Sequence, residues 1–205
     1  MTNYPIITIS RECGSGGHAI AQLLSEKLGI PMYDNDLLTI AAKESGYAPE
    51  AFSRAEQAHT SMLGMTLNAV STDRPYNVPL NNQLFSIQSA IIRTLADKGS
   101  AIIVGRCADA VLRDYAPCIN IFIQGSRIHR IDRIMKRDGT DYDTSEKQMR
   151  RVDKARATYY NFYTDSKWGN RDNYDLIITS DIGEEACAEI IAAYIRNVLP
   201  DLGKA

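Results

Sequence analysis

A glycine-rich turn between a strand pattern and a helix pattern constrains the fold of this chain more than any other sequence feature. The apolar, β-branched run Ile6–Ser10 leads into a polar turn in which three of the four residues 14–17 are glycine. The helical pattern that follows has one apolar face, formed by Ile20, Leu23, Leu24 and Leu28. Glycine lets a backbone approach closely, and the N–H groups of a helix N-terminus attract anions. The turn therefore indicates a phosphate or nucleotide site, and the alternative is an ordinary strand-to-helix connection.

Later apolar runs share the character of the first strand, because they are short, almost continuously apolar and separated by helical patterns. They are Ile30–Tyr33, Ala101–Val104, Ile119–Ile123 and Leu176–Thr179. Strands of this kind are typical of a parallel sheet whose two faces are both covered. We therefore expect an α/β fold with a five-stranded parallel sheet flanked by helices. A chain of 205 residues with 44% apolar content can form one domain with a sizeable core.

The helical patterns around these strands differ in length and polarity. They are predicted at 37–44 and 49–60, along a stripe from Leu84 that ends at Gly99, at 107–113, at 126–137, from a cap at Ser145 to Thr164, and at 184–199. Residues 45–83 have a looser pattern with Gly, Asn and Pro, which predicts an arm inserted into a single domain over 1–205. Residues 126–168 are helical and basic, and we expect them to form a lid.

Charge and cysteine usage narrow the choice of partner and location. The net charge of −2 provides no general attraction for nucleic acid or for a membrane surface. No window approaches the length of a membrane span, and the N-terminus lacks a basic and apolar leader. The 4 cysteines are scattered without a paired spacing, which is typical of reduced thiols in a cytoplasmic protein. The sequence leaves open whether the chain forms a homo-oligomer.

Polar or glycine residues follow four of the predicted strands. The glycine turn follows the first, Asp34 the second, Gly105 and Arg106 the third, and Gln124 and Gly125 the fourth. Ligands of parallel sheets bind beyond the carboxyl ends of the strands. We therefore expect these residues, although distant in sequence, to meet at one edge of the sheet.

The turn can be aligned with the P-loop pattern, G-x-x-x-x-G-K-[ST], but the match is incomplete. When the second glycine is Gly16, the first falls on Arg11. The lysine and hydroxyl positions then fall on Gly17 and His18. The lysine normally neutralises phosphate charge, and the hydroxyl normally ligates Mg²⁺. Arg11 is a candidate to supply the missing positive charge.

The turn also fits the dinucleotide pattern G-x-G-x-x-[GA] over Gly14–Ala19. Asp34 lies where the ribose-binding acid of that pattern belongs. Tyr163 and Lys167 have the Tyr-x-x-x-Lys spacing of some dehydrogenases. Only one clear strand follows Lys167, whereas a six-stranded dinucleotide fold needs more. A nicotinamide-dependent oxidoreductase therefore stays open as an alternative.

Basic side chains recur on two consecutive helical patterns between the fourth and fifth strands. They are Arg127, Arg130, Arg133, Lys136 and Arg137, followed by Arg150, Arg151, Lys154 and Arg156. Above the strand ends, such helices form a positively charged flap. Phosphoryl transfer needs the charge of the transferring group to be neutralised, whereas hydride transfer does not. The alternative is a solvated helix face whose charges pair locally.

Matching stretches along most of the chain, outside residues 45–83, carry a family resemblance. They are residues 9–18 with 20–21, 28–34, 103–106, 127–139, 153–156 with 159–160, Trp168 and 174–180. Through them the chain resembles the cytidylate kinase-like family of P-loop proteins. The resemblance implies a nucleoside monophosphate kinase fold with a P-loop core, a monophosphate-binding arm and an arginine-bearing lid.

The resemblance also implies roles for individual residues, with ATP and Mg²⁺ as cofactors and a nucleoside monophosphate such as CMP or dCMP as acceptor. The donor phosphates would be bound by Gly14, Ser15, Gly16 and Gly17, with His18 at the first turn of the helix. Asp34 and Arg106 would face the acceptor. Arg151 and Arg156 would be the catalytic cations of the lid, which Asp153 would orient. Arg11, the candidate to replace the missing lysine, would be a further catalytic cation. Ser15 is a candidate Mg²⁺ ligand, and Asp34 is a second one acting through water.

The chain departs from the family's pattern at two informative positions. Cytidylate kinases carry lysine where this chain has Gly17, and typically an acid where it has Cys107. Of the lid motif, only the half formed by Asp153 and Arg156 is clear. Three classes therefore stay open, namely a small-molecule phosphotransferase, a nucleotide-binding protein without turnover, and an oxidoreductase.

Overall fold

A computed structural model of the protein describes residues 5–34, 78–115 and 117–199, with side chains from residue 85 onwards in the second range. These ranges form one parallel sheet in the order β2-β3-β1-β4-β5. Its strands are β1 (Ile6–Arg11), β2 (Met32–Tyr33), β3 (Ala101–Val104), β4 (Cys118–Gln124) and β5 (Leu176–Thr179). The prediction of an α/β fold with a five-stranded parallel sheet is confirmed.

The strand order distinguishes the two interpretations of the glycine turn. Strand β1 lies between β3 and β4, with Ile9 opposite Val104 on one side and Ile121 on the other. The dinucleotide fold has the order 3-2-1-4-5-6, in which β1 pairs with β2. Here β3 separates β1 from β2. The sheet therefore argues against the dinucleotide interpretation and in favour of the P-loop one.

Helices follow or precede each strand within the described ranges. They are α1 (Gly17–Leu28), α2 (Val78–Lys98), α3 (Ala108–Val111), α4 (Arg127–Asp138), α5 (Tyr142–Tyr163) and α6 (Glu184–Val198), with short 3₁₀ turns at Arg171–Asn173 and Ser180–Ile182. None of the helices seen in these ranges has the length and apolarity needed to cross a membrane.

Both faces of the sheet are covered, which explains why its strands are almost continuously apolar. Ile7 and Ile9 pack with α1 and α6 on one face, where Ile20 and Ile191 are fully buried. Their neighbour Ile6 points to the other face, which α2 and α3 cover. The alternation of side chains along β1 thus distributes one apolar run between two cores.

Two element boundaries differ from the sequence predictions. Helix α2 begins at Val78, inside the segment predicted as an arm, and residues 35–77 with the helices expected there lie outside the described residues. The cap predicted at Ser145 is wrong, because α5 begins earlier. Asp141 caps it by accepting a hydrogen bond from the Thr144 backbone N–H at 2.8 Å. Ser145 lies inside the helix, where its hydroxyl hydrogen-bonds the Thr140 hydroxyl at 2.7 Å.

Candidate active site

The turn between β1 and α1 depends on two glycines in the left-handed backbone region. Gly14 and Gly16 have φ values of 79° and 74°, which residues with a side chain rarely adopt. A Cβ atom on Gly14 would lie 2.5 Å from the carbonyl oxygen of Arg130. Ser15 is fully buried between them, and its Oγ donates to the Glu12 carbonyl oxygen at 2.9 Å. The turn is therefore held in one shape at the N-terminus of α1.

An ionic cluster around the buried Arg130, here called the Arg130 cluster, lies against one side of the turn and consists of Glu12, Arg130, Asp153 and the backbone of Cys13. Nε of Arg130 donates to the Cys13 carbonyl oxygen at 2.8 Å, and its terminal nitrogens contact the carboxylates of Glu12, at 2.9 Å, and Asp153. Asp153 also accepts from the Cys13 backbone N–H at 2.7 Å. Since Arg130 is 7% exposed, these contacts offset the desolvation of its charge. The cluster joins α4 and α5 to the turn.

Arg11, the last residue of β1, lies between two glycines from other segments. A Cβ atom on Gly17 would lie 2.6 Å from Cβ of Arg11. A Cβ atom on Gly105, directly after β3, would overlap the Nη1 atom of Arg11. The two glycines therefore leave room for the side chain of Arg11, which extends from the start of α1 to the end of β3.

Arg106 and Arg156 both lie near enough to Arg11 for their charges to act on it, and we call the three residues the arginine triad. Nη1 of Arg156 donates to the backbone carbonyl oxygen of Arg11 at 2.9 Å. Burial, followed by the charges of Arg156 and Arg106, lowers the pKa of Arg11 to about 9. Burial also lowers the pKa of Arg156. Like charges brought together in a partly desolvated place create a potential that favours an anion.

Asp34 follows β2 and reaches the same edge of the sheet. Its carboxylate lies 3.6 Å from Nδ1 of His18, which is exposed at the first turn of α1. The Asp34 charge acts on Arg11 in the opposite direction to the other two arginines, raising its pKa. The strand-end residues that the sequence predicts to meet are therefore near one another at the ends of β1, β2 and β3.

The backbone that leaves β3 is strained. Gly105, Arg106 and Cys107 have consecutive φ values of 80°, 57° and 56°. For a non-glycine residue this conformation costs about 1–2 kcal/mol. Such strain is concentrated at functional sites, where the surrounding structure maintains it. Here it directs Arg106 out of the sheet at the edge where Arg11 lies.

The basic residues of α4 and α5 fall into two groups. Arg130, Arg133 and Arg156 lie at the turn, and the guanidinium carbon of Arg133, which pairs with Glu184, would lie 3.1 Å from a Cβ atom on Gly16. Four others pair locally on the surface: Arg127 and Arg150 with Glu146, Lys136 with Asp132 and Arg137 with Asp138. Arg151 is exposed on α5. The flap interpretation therefore fits three arginines of the run, and local pairing accounts for four of the remaining basic residues.

Sequence reasoning did not single out Glu12 or Arg130, although both are central to the geometry of the turn. Arg130 recurs at the same three-residue spacing as exposed arginines of α4, so that spacing cannot distinguish it. Two further buried contacts of α5 were also missed. The Tyr160 hydroxyl donates to Asp109 of α3 at 2.6 Å, and the Tyr159 hydroxyl donates to Gln88 of α2 at 3.2 Å.

The residues at this edge fit a magnesium ion only if phosphate and water supply most of its ligands. The described residues contain no group of three or more His, Cys, Asp or Glu side chains arranged for a metal. Ser15 would have to give up its buried hydrogen bond to Glu12. Nucleotide-bound Mg²⁺ commonly keeps several waters and needs one or two side chains. The Asp34 carboxylate, 20% exposed, is compatible with contact through water.

Comparison with known proteins adds sequence evidence to this geometry. A profile of the cytidylate kinase-like family matches residues 6–182, which include the turn, both basic helices and β5. A cytidylate kinase from Methanothrix thermoacetophila is 29% identical over 194 residues, and the alignment covers 93% of this chain and 98% of that protein.

Solved structures agree with the fold. An uncharacterised protein from Eubacterium ventriosum has a TM-score of 0.72 and 32% identity, covering 93% of this chain and 97% of the other. A gluconokinase from Sinorhizobium meliloti covers 99% of both chains with a TM-score of 0.54 and 15% identity, which is a likeness of fold alone.

Proposed function

The chain belongs to the cytidylate kinase-like family, and from this premise we propose that it transfers the γ-phosphoryl group of ATP to a nucleoside monophosphate such as CMP or dCMP. The arginine triad is the observation that carries the proposal. Phosphoryl transfer moves a group whose oxygens are charged, and catalysis consists mainly of positioning that group and neutralising its charge. Three guanidinium groups beside a glycine turn would both position the phosphoryl group and neutralise its charge.

In the proposed reaction, an oxygen of the acceptor phosphate attacks the γ-phosphorus of ATP. The bond from that phosphorus to the β–γ bridging oxygen breaks, and its electron pair leaves with ADP. The products are ADP and a nucleoside diphosphate. Because the attacking oxygen of a phosphate dianion carries no proton, the chain has to supply position and positive charge but no general base.

The donor side of the proposed site is the turn itself. Backbone N–H groups of Gly14, Ser15, Gly16 and Gly17 would bind the phosphates of ATP, with His18 at their edge. Bound Mg²⁺ would neutralise phosphate charge, and Asp34 would hold one of its waters. Ser15 as a direct ligand stays a prediction. The glycine conformations and the helix N-terminus support this assignment.

The acceptor side would be formed by Asp34 and Arg106, and the lid would contribute Arg151 and Arg156. Arg156 is supported by its hydrogen bond to the end of β1. Asp153 would act as a positioning residue. Its contacts with Arg130 and Cys13 fix α5 against the turn, and thereby fix the place from which Arg156 reaches the phosphates.

A second candidate function is nucleotide binding without turnover. Gly17 favours it, because the lysine that P-loop kinases use at this position is absent. The two candidates share the donor site and differ in whether the phosphoryl group moves.

The test is phosphate transfer from Mg-ATP to a panel of nucleoside monophosphates, with Arg156→Ala and the control Arg150→Ala. Both arginines lie on α5, but Arg150 contacts Glu146 on the surface, away from the triad. We expect Arg156→Ala to lower kcat about 10²–10³-fold and Arg150→Ala to leave it nearly unchanged. Mg-ATP binding without transfer to any acceptor in the panel would overturn the proposal and leave the binding protein.

A further inference from the structure

The position at which P-loop proteins carry lysine is filled from elsewhere in this structure. Gly17 is the first residue of α1, and it is buried. A Cβ atom built on it would lie 2.6 Å from Cβ and 2.9 Å from Cγ of Arg11. Real Cβ contacts are not this short, so no side chain fits at residue 17 while Arg11 keeps its place.

The other end of Arg11 meets a second glycine. A Cβ atom on Gly105 would overlap Nη1 of Arg11 and would lie 3.1 Å from Cζ. The Gly105 backbone cannot easily give way, because its N–H donates to the Ile9 carbonyl oxygen at 2.9 Å and so continues the pairing of β3 with β1. Two glycines on separate segments thus leave space for one arginine along its whole length.

We propose that Arg11 has taken over the task of the P-loop lysine, and that Gly17 and Gly105 are glycine because they must admit it. The inference rests on the proposed phosphoryl transfer and specifies which cation performs it. The charge comes from the last residue of β1 instead of the first residue of α1. The guanidinium lies at the end of β3 next to Arg106, the residue assigned to the acceptor.

This relocation changes what the cation can contact. Lysine presents a point charge, whereas a planar guanidinium can hold two oxygens at once. At the end of β3, Arg11 would lie between the γ-phosphoryl group and the acceptor phosphate. It would bridge the two groups that repel each other before transfer.

The exchange can be tested by reversing it. Arg11→Gly removes the charge and also the Cβ and Cγ atoms that a side chain on residue 17 would meet. Gly17→Lys adds a lysine where Arg11 blocks it, and the double variant has both a lysine and the space for it. We expect each single variant to lower kcat at least about 10²-fold. We expect the double variant to exceed both singles by about tenfold or more. The inference would be overturned if kcat of the double variant did not exceed that of the less active single variant. It would also be overturned if Gly17→Lys kept the kcat of the wild type.

The control for the glycine-to-lysine change is Gly99→Lys. No atom lies within 4 Å of a Cβ placed on Gly99, and we expect activity and thermal midpoint to stay at wild-type values.

Gly17→Ala introduces the same contact with Arg11 through a smaller side chain, and it replaces Gly17→Lys in the test if Gly17→Lys fails to fold. Gly17→Ala should weaken tripolyphosphate binding when Arg11 is present. In the Arg11→Gly background, which has no Cβ atom at residue 11, the same change should cause no further loss of binding.

Affinity for inorganic tripolyphosphate, measured by calorimetry, separates this inference from the proposed function. If the wild type transfers no phosphate but binds tripolyphosphate, the proposed function fails, and the same variants still test Arg11 through binding. The inference is supported if both single variants bind tripolyphosphate more weakly than the wild type and the double variant binds it more tightly than either single variant. Wild-type affinity in Arg11→Gly overturns it, whatever the transfer assay shows.

Discussion

At the scale of single residues, the shape of the turn depends on Arg130, which no phosphate-binding pattern contains. Its guanidinium contacts two carboxylates and a carbonyl oxygen of the turn, and its own backbone oxygen limits residue 14 to glycine. Arg11 was a candidate from the sequence, because it lies inside the motif. Arg130 could not be identified in the same way, because its importance comes from burial against a segment more than a hundred positions away.

We predict that Arg130→Met destabilises the protein by about 3 kcal/mol, the lower end for a broken buried ion pair, because the partly buried carboxylates of Glu12 and Asp153 would lose their partner. Urea unfolding measures the change. Arg127→Met on the same helix is the control, since Arg127 is 54% exposed and pairs with Glu146 at the surface. The control should cost less than about 1 kcal/mol. Similar losses in both variants would contradict a special role for the Arg130 cluster.

At the scale of secondary-structure elements, local signals account for several helix ends. Gly29 ends α1 in the left-handed conformation, and Ser126, predicted as the first helical residue, caps α4 by accepting from the His129 backbone N–H. Ser145 failed as a cap because Asp141 offered an acceptor one turn earlier. Contacts between elements had no local signal. The pairing of Tyr160 in α5 with Asp109 in α3 is one of them.

Asp109 makes the joint between α3 and α5 sensitive to pH. It is 6% exposed, and its Oδ1 atom has no hydrogen-bond partner among the described residues. Burial raises the pKa of Asp109, so the folded state favours the protonated acid. The stability that this group contributes is full below the ordinary Asp pKa and is lost as pH rises through the raised value.

We therefore predict that Asp109→Asn gains stability relative to the wild type as the pH rises above about 4, the ordinary pKa of Asp, as measured by urea unfolding. Asp181→Asn is a control of opposite sign, because hydrogen bonds from Ser126 and Thr179 lower the pKa of Asp181. Its stability relative to the wild type should be lowest at neutral pH and should recover as the solution becomes acidic. A pH-independent difference for Asp109→Asn would contradict the assignment.

At the scale of the whole molecule, the strand-end rule predicted which segments meet, and the glycine turn, Asp34 and Arg106 do lie at the ends of β1, β2 and β3. The parallel sheet could be predicted from the apolar runs, because strands that are apolar at every position need other elements packed on both faces of the sheet. The strand order did not follow, because hydrogen bonds between distant strands leave no periodic signal in either strand. It was the order β2-β3-β1-β4-β5 that separated the P-loop interpretation from the dinucleotide one.

Ligand binding provides a prediction at the same scale. A ligand that binds only the folded state stabilises it by about 2.7 kcal/mol at a concentration of about 100 times Kd. We expect Mg-ATP to raise the thermal midpoint of the protein and NAD or NADP to leave it unchanged. Stabilisation by the nicotinamide nucleotides alone would contradict the P-loop interpretation.

The central place of β1 in the sheet has a consequence for how the protein is made. Ile6 pairs with Ala101 and Cys118, so its partners come 95 and 112 positions later. At roughly 5–20 residues per second, a ribosome completes β1 roughly 5–20 s before β3. During that time an apolar strand has neither neighbour, and such unpaired strands are the ones that aggregate or recruit chaperones. Because Arg130 and Asp153 are made later still, nucleotide cannot assist the early stages of folding.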